Sequence, residues 1–241
     1  MEKFTVKFAE TEQEKMQTYK LRYNELILEY RPDNVIESGY DITPYDEYGK
    51  LAICIDNETN EVVGCYRIIT SDNMPCGATF VSEGEFDISS LKQSGEKIAE
   101  LSRSVVKKEY RGSVVLMLLL RFVIGYIKKN EYRYIIGEAS FYGVDKMALQ
   151  KEISYIAYNH YNPEYHVECL DKEQIEILPK EDLDFAEIRR SLPPLIRAYI
   201  SFGAFLSKDL FCDYEFGSTD TFVLLDCKNY NERYVNRFLG L

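Results

Sequence analysis

The chain has no CxxC pair, no GxSxG, Walker-type or GxGxxG fingerprint, no apolar run of bilayer length, and too few basic residues to balance its acids. Each absence removes a class of function. Hydrolase, nucleotidase and dehydrogenase readings lose their motif support. The most apolar stretch, Val114 to Ile127, is broken by Arg121 and is shorter than the ~20 residues a membrane span needs. Lys and Arg number 29 against 40 Asp and Glu, a formal charge of −11, which argues against a whole-protein electrostatic grip on nucleic acid. The cysteines, at 54, 65, 76, 169, 212 and 227, form no dense framework and read as reduced, mostly buried thiols of a cytoplasmic protein. Met1-Glu2-Lys3-Phe4-Thr5 lacks the charged and then apolar order of a signal peptide. His160 and His166 stand among tyrosines with no Cys or carboxylate pattern for zinc, so no metal site is expected.

What is present is an ordinary globular composition, 46% hydrophobic and 29% charged over 241 residues, enough chain for one well-filled core. Met16, Tyr19, Tyr23, Leu26, Ile27 and Tyr30 recur at three- and four-residue steps and predict a helix from about Glu12 to Tyr30, stopped by Pro32. A polar loop from Asp33 to Lys50 follows. Leu51–Ile55 and Val62–Ile69 flank a turn-rich hexapeptide and predict a hairpin. Ile98–Val106 reads as a strand, the basic turn Lys107 to Gly112 comes next, and Ser113 is placed to cap a helix running to about Lys129. Further on, Tyr132–Ala139 is expected as a strand and Asp145 to about Tyr158 as a helix. A helix opening at Ser191-Leu192-Pro193-Pro194 is expected to reach about Leu206. Thr221–Cys227 is a last strand, and Tyr230 to Phe238 a short amphipathic tail. With no repeat and no clear linker, one α/β domain is expected over 1–241.

Charge is distributed unevenly. Between Lys97 and Arg133, nine Lys and Arg stand against Glu100, Glu109 and Glu131, inside an acidic protein. Positive charge is thus concentrated at a turn that opens a helix, where free N–H groups and the dipole also favour anions. A solvated charged surface is the plain alternative. The stripe Leu195, Tyr199, Phe202 and Leu206 reads first as core, and otherwise as the lining of an acyl tunnel or a face for a bilayer surface.

Several segments carry a resemblance. Leu21-Arg22-Tyr23, Tyr45-Asp46, Val63-Gly64-Cys65-Tyr66-Arg67, Glu100-Leu101-Ser102-Arg103-Ser104-Val105-Val106 and Tyr110-Arg111-Gly112 are followed by Leu192-Pro193-Pro194, Tyr199, Gly203-Ala204, Asp213 to Gly217 and Asp220. In this order they resemble the ornithine-lipid branch of the GCN5-related N-acyltransferase superfamily, a branch related to acyl-homoserine-lactone synthases. The match departs at Val114 and Leu116, where the superfamily's pyrophosphate-binding turn has glycines.

The resemblance implies an α/β (α+β) fold, a mixed, mostly antiparallel sheet flanked by helices. It implies a core over about 1–165 and a C-terminal part over about 166–241 that completes the sheet and the acyl site. It also implies transfer of a long-chain, 3-hydroxylated or plain, fatty acyl group from acyl carrier protein to the α-amine of an amino acid such as ornithine. The acyl-phosphopantetheine thioester, on the carrier protein or on coenzyme A, is a co-substrate, and no cofactor is held permanently. Acyl-homoserine-lactone synthesis from S-adenosylmethionine, or an acyl-binding module without turnover, are the alternatives. The carrier and the amino acid are the expected partners, nucleic acid is not, and the expected location is cytoplasmic with peripheral contact at the inner membrane face.

An amine must lose a proton before it attacks a thioester, so a base is required near the donor carbonyl. Glu100 is the candidate, with Arg103 as its companion, and a structural ion pair between the two is the plain alternative. Residues 100 and 103 have opposite parity on a regular strand. A β-bulge near Ser102 to Val105, which the resemblance also implies, would bring both to one face. Asp46, Asp41, Arg67 and Arg22 are candidates for the acceptor pocket or its ion-pair network, and Val105, Val106, Lys107, Lys108, Arg111, Gly112 and Ser113 for the acyl donor. No serine or cysteine has an adjacent histidine, so direct attack without an acyl-enzyme is expected.

Overall fold

The computed structural model describes residues 3–33, 35–171 and 175–240. Met1 and Glu2 of the N-terminal stretch read above, and the Tyr30 side chain of the helical stripe, lie outside the described part. The strands are β1 (Phe4–Phe8), β2 (Lys50–Asp56), β3 (Glu61–Thr70), β4 (Phe86–Asp87), β5 (Ile98–Val106), β6 (Tyr134–Tyr142), β7 (Glu168–Cys169), β8 (Phe205–Leu206), β9 (Phe211–Asp213) and β10 (Ser218–Asp226). The helices are α1 (Glu12–Arg22), α2 (Leu28–Tyr30), α3 (Ser89–Gln93), α4 (Val115–Lys129), α5 (Gln150–Asn159), α6 (Phe185–Ser191), α7 (Pro194–Phe202) and α8 (Glu232–Leu239). An α/β fold with an antiparallel sheet flanked by helices is what the sequence predicts. Among the described residues, no helix is long and apolar enough to cross a membrane. The chain divides into two compact units, residues 1–78 with 99–131 and residues 79–98 with 132–241.

In the first unit β1, β2, β3 and β5 pair in that order, each ladder antiparallel. α1 starts on a capping box in which the Glu14 N–H donates to Thr11 Oγ1 and the Thr11 N–H donates to Glu14 Oε2, 3.2 and 3.1 Å apart. The predicted single helix to Tyr30 is one helical run with a π-helical turn, Tyr23–Ile27, between α1 and α2. Leu21, Leu51, Ile53, Ile55, Val62, Cys65 and Val105 form a core under α1. α4 buries Val115, Leu119, Leu120, Val123, Ile124 and Ile127, one face at helical spacing. It lies so close to β3 that a Cβ on Gly64 would stand 2.8 Å from Val115 Cγ1 and 2.9 Å from Leu119 Cδ1. The predicted Ser113 cap is displaced by one residue: Val114 takes the N-cap position, and Ser113 Oγ accepts the Val115 N–H at 3.3 Å.

In the second unit β6 and β10 pair antiparallel from Ser218 opposite Tyr142 to Asp226 opposite Tyr134. β8 and β9 lie on the other side of β10. Of the apolar stripe, Phe202 on α7 and Leu206 in β8 are buried, with Ile196 and Ile200 beside them, while Leu195 and Tyr199 are half-buried; Phe202 packs on Phe238 of α8 with ring centroids 5.0 Å apart. The helix predicted to reach Leu206 ends at Phe202, because Gly203 turns left-handed at φ 90° and the chain enters β8.

Candidate active site

The predicted polar residues of the first unit converge. Arg22 is the last residue of α1, Asp41 and Asp46 come from the loop before β2, Arg67 from β3, and Glu100 and Arg103 from β5. Arg22 is fully buried. Its Nε donates to Asp41 Oδ2 at 2.7 Å, and its Nη1 and Nη2 donate to the two oxygens of Asp46 at 2.7 and 3.1 Å, a bidentate fork. Arg103 Nε donates to the same Asp41 oxygen at 2.9 Å. Arg67 Nη1 donates to Asp46 Oδ1 at 3.3 Å and to Thr43 Oγ1 at 2.7 Å, while its Nε donates to Ser102 Oγ at 3.0 Å. Thr43 closes the loop by donating its N–H to Asp46 Oδ2 at 2.8 Å. Two carboxylates therefore tie three arginines into one network.

The backbone of β5 makes this possible. Cys65 faces Val105 and Arg67 faces Ser102, so Tyr66 alone stands opposite both Arg103 and Ser104. That is the bulge near Ser102 to Val105 that the resemblance implies. Arg103 sits at its centre with φ 52°, a left-handed conformation that is strained for a side chain of this kind. Ser102 bonds Arg67, and Glu100 shares its parity, so Glu100, Ser102 and the Arg103 guanidinium approach the network from one side. Glu100 is 1% exposed, and its charge acts on Arg67.

Burial pushes the Asp41 carboxyl up, but Arg103 and Arg22 more than reverse that, leaving it below the ordinary carboxylate range. Asp46 is likewise lowered, with burial outweighed by Arg22 and Arg67. Arg22 is raised, because Asp46 and Asp41 outweigh its burial. Arg67 is lowered by burial and by the Arg103 cation. It is fully buried, and its Nη2 has no hydrogen-bond partner among the described residues. Both oxygens of Asp46, in contrast, are occupied within the chain. Gly49 leaves room for the Arg67 stem: a Cβ there would meet Arg67 Cγ and Cδ at 2.9 Å and the Tyr45 carbonyl at 2.8 Å.

The basic turn is less bare than its sequence suggests. Lys107 pairs with Glu61 at 2.9 Å, and Arg111 with Glu25 at 3.3 Å and with Glu29. Arg111 Nε also donates to the Val106 carbonyl at 3.2 Å, and the Lys108 N–H donates to Glu25 at 2.9 Å. Gly112 adopts φ 78°, which only glycine takes without strain. Val105 is buried, whereas Lys108, Arg111, Gly112 and Ser113 are exposed. Beside Lys107 a groove of about 510 Å³ opens, lined also by Gln13, Met16, Lys20 and Tyr40. Glu25 and Glu29, the acids that restrain this turn, were not among the predicted site residues. Their signal was weak, since both read as the solvent side of a helix.

Cys65 is pushed up to about 12 by burial, and Cys54 and Cys169 to about 11, so these thiols are neutral and unreactive. His160 is lowered to about 4 by burial and by Arg189, and its Nε2 lies 3.2 Å from the Tyr155 hydroxyl.

Residues 21–121 match the model of an acetyltransferase (GNAT) domain. Over most of its length the chain is similar to proteins named L-ornithine N(alpha)-acyltransferase. That of Rhodobacter capsulatus is 27% identical over 240 residues, covering 96% of this chain and 93% of the relative. Others of the same name are 26–28% identical. The fold is similar to that of FeeM, an N-acyl amino acid synthase from uncultured soil microbes, with 10% identity, TM-score 0.52, and 94% and 92% of the two chains covered. It is also similar to BjaI, a CoA-dependent acyl-homoserine lactone synthase, with 12% identity, TM-score 0.51, and 95% and 83% covered.

Proposed function

We propose, for a chain that carries a GNAT acetyltransferase domain in residues 21–121, that it is an N-acyltransferase acting on the α-amine of ornithine. The donor in this reading is a long-chain, 3-hydroxylated fatty acyl thioester on acyl carrier protein. The observation that carries it is the buried network of Arg22, Asp41, Asp46, Arg67 and Arg103 alongside Glu100 on the bulged strand. The names of the relatives supply the acceptor.

In this mechanism the amino acid's carboxylate takes the Arg67 Nη2–H, a buried donor with no partner among the described residues. Asp46 and Asp41 do not touch the substrate. They hold Arg22, Arg67 and Arg103 in place, as positioning residues. Glu100 takes the proton of the α-ammonium, directly or through water, and the freed lone pair attacks the thioester carbonyl. A C–N bond forms, the C–S bond breaks, and the pantetheine thiolate leaves and takes up a proton. The extra residue of a bulge lies outside the ladder, so a backbone N–H of β5 is available for the oxyanion. Val105 and Val106 run beside the pantetheine arm, and Lys107, Lys108, Arg111, Gly112 and Ser113 meet its phosphate and the acidic carrier.

The test is direct. The purified protein receives 3-hydroxyacyl carrier protein or the matching acyl-CoA, with ornithine, other amino acids and S-adenosylmethionine as acceptors, and products are read by mass spectrometry. An N-acyl-ornithine amide is expected, with the carrier preferred over coenzyme A. A homoserine-lactone product, or no amide with any amine, overturns the reading.

A further inference from the structure

The second unit holds another group of acids, two of which, Asp213 and Asp220, belong to the C-terminal segments that carry the resemblance. In the β9–β10 hairpin Ser218 faces Asp213 and Asp220 faces Phe211, while Ser140 of β6 faces Asp220 across the other ladder. Carboxylate oxygens of Glu85, Asp213 and Asp220 all lie within 4.8 Å of one another. Asp220 is 3% exposed. Its Oδ2 accepts from Ser218 Oγ at 2.9 Å, but its Oδ1 is shut off from solvent and has no hydrogen-bond partner among the described residues. Glu85 Oε2 is shut off from solvent as well. Asp213 Oδ1 accepts the Phe216 N–H at 2.7 Å.

Like charges gathered in a water-poor place repel, and a buried oxygen without a donor is costly. The arrangement calls for positive charge. We propose that Glu85, Asp213 and Asp220 hold a hard divalent cation of the calcium or magnesium class, which fastens the β9–β10 hairpin to the segment before β4. Oxygens bound to one such ion, each at about 2.1–2.5 Å, are at most about 5 Å apart, and all three lie within that limit of one another. The combined charge of three acids favours a divalent ion over the single ammonium of an amine. Water fills the remaining positions, as is usual for these ions. The inference stands independently of the proposed acyl transfer.

The full-length protein, stripped with a chelator, is titrated with Ca²⁺, Mg²⁺ and Mn²⁺ separately, and with 1,5-diaminopentane as an ammonium probe. Thermal unfolding and calorimetric binding are the readouts. A divalent ion near a hundred times its Kd is expected to raise Tm by about 5 °C or more. Asp220→Asn and Asp213→Asn are expected to weaken its binding at least about tenfold. Should either variant fold poorly, Tb³⁺ luminescence on the wild-type protein, sensitised by tyrosine and displaced by Ca²⁺, reads the same site. Stabilisation by the diamine alone, lost in Asp220→Asn, assigns the acids to an amine pocket and overturns the proposal. So does ion binding unchanged in Asp220→Asn, or no divalent binding below about 1 mM, near the weak end for protein calcium sites.

Discussion

Asp46 accepts from two arginines and from both the N–H and the hydroxyl of Thr43, and this occupancy decides what a substitution there does. Asp46→Ala leaves Arg67 buried without its carboxylate partner and Arg22 with Asp41 alone, a loss of about 3–5 kcal/mol measurable by urea unfolding. The pH dependence follows from the lowered titration of Asp41 and Asp46. Their contribution to stability is complete above the ordinary carboxylate range and is lost as pH falls below about 4, through the folded-state values. Wild-type protein should therefore show a steep acid transition that is shallower in the Asp46→Asn variant. Glu100→Gln, in contrast, should fold normally and lower the single-turnover acylation rate by about 10²–10⁴. An unchanged rate removes Glu100 from the role of base. These residues were legible in the sequence as a set, but their partners were not. The Arg22 contacts span 19 and 24 residues, and strand parity carries no information about which acid meets which arginine.

At the scale of the element, the bulge in β5 is the feature on which the site turns. Arg103 at φ 52° contributes both a strained backbone and a side-chain bond to Asp41, and two substitutions separate them. Both Arg103→Gly and Arg103→Ala lose the bond, but glycine relieves the strain. The Gly variant should be more stable by about 1 kcal/mol in chemical denaturation. Equal stabilities would mean that the backbone there is not under strain. The bulge was foreseeable from the resemblance, which asks residues 100 and 103, opposite in parity on a regular strand, to share one face. Other elements were not. β1 is an edge strand whose residues are all at least partly exposed, so no apolar alternation marks it. β4, β7, β8 and β9 are two or three residues long, too short for periodicity to register. The end of α7 was overrun because the apolar stripe continues through Gly203 while the backbone does not.

For the whole molecule, net charge and local charge oppose each other. A chain of −11 repels an acidic carrier, and the turn proposed to receive it has Lys107 and Arg111 already bound to Glu61, Glu25 and Glu29. If the carrier docks on this turn, freeing Arg111 should help it. Glu29→Gln is expected to lower the KM for acyl carrier protein with kcat unchanged, and Lys108→Glu to raise it, both effects fading as salt rises. A KM indifferent to both substitutions would place docking elsewhere. Of the three acids of the second unit, the sequence singles out Asp213 and Asp220 only as part of the resemblance, and no spacing rule for metal ligands joins them to Glu85.

The thiols that burial keeps inert leave Cys76 exposed in the first unit and Cys227 half-buried in the second. Maleimide dyes would therefore find one preferred attachment point, and a slower one, on separate halves of the chain. An energy-transfer pair requires no engineered cysteine, and it would register in real time whether an acyl donor, an amino acid or a metal ion changes the distance between those halves.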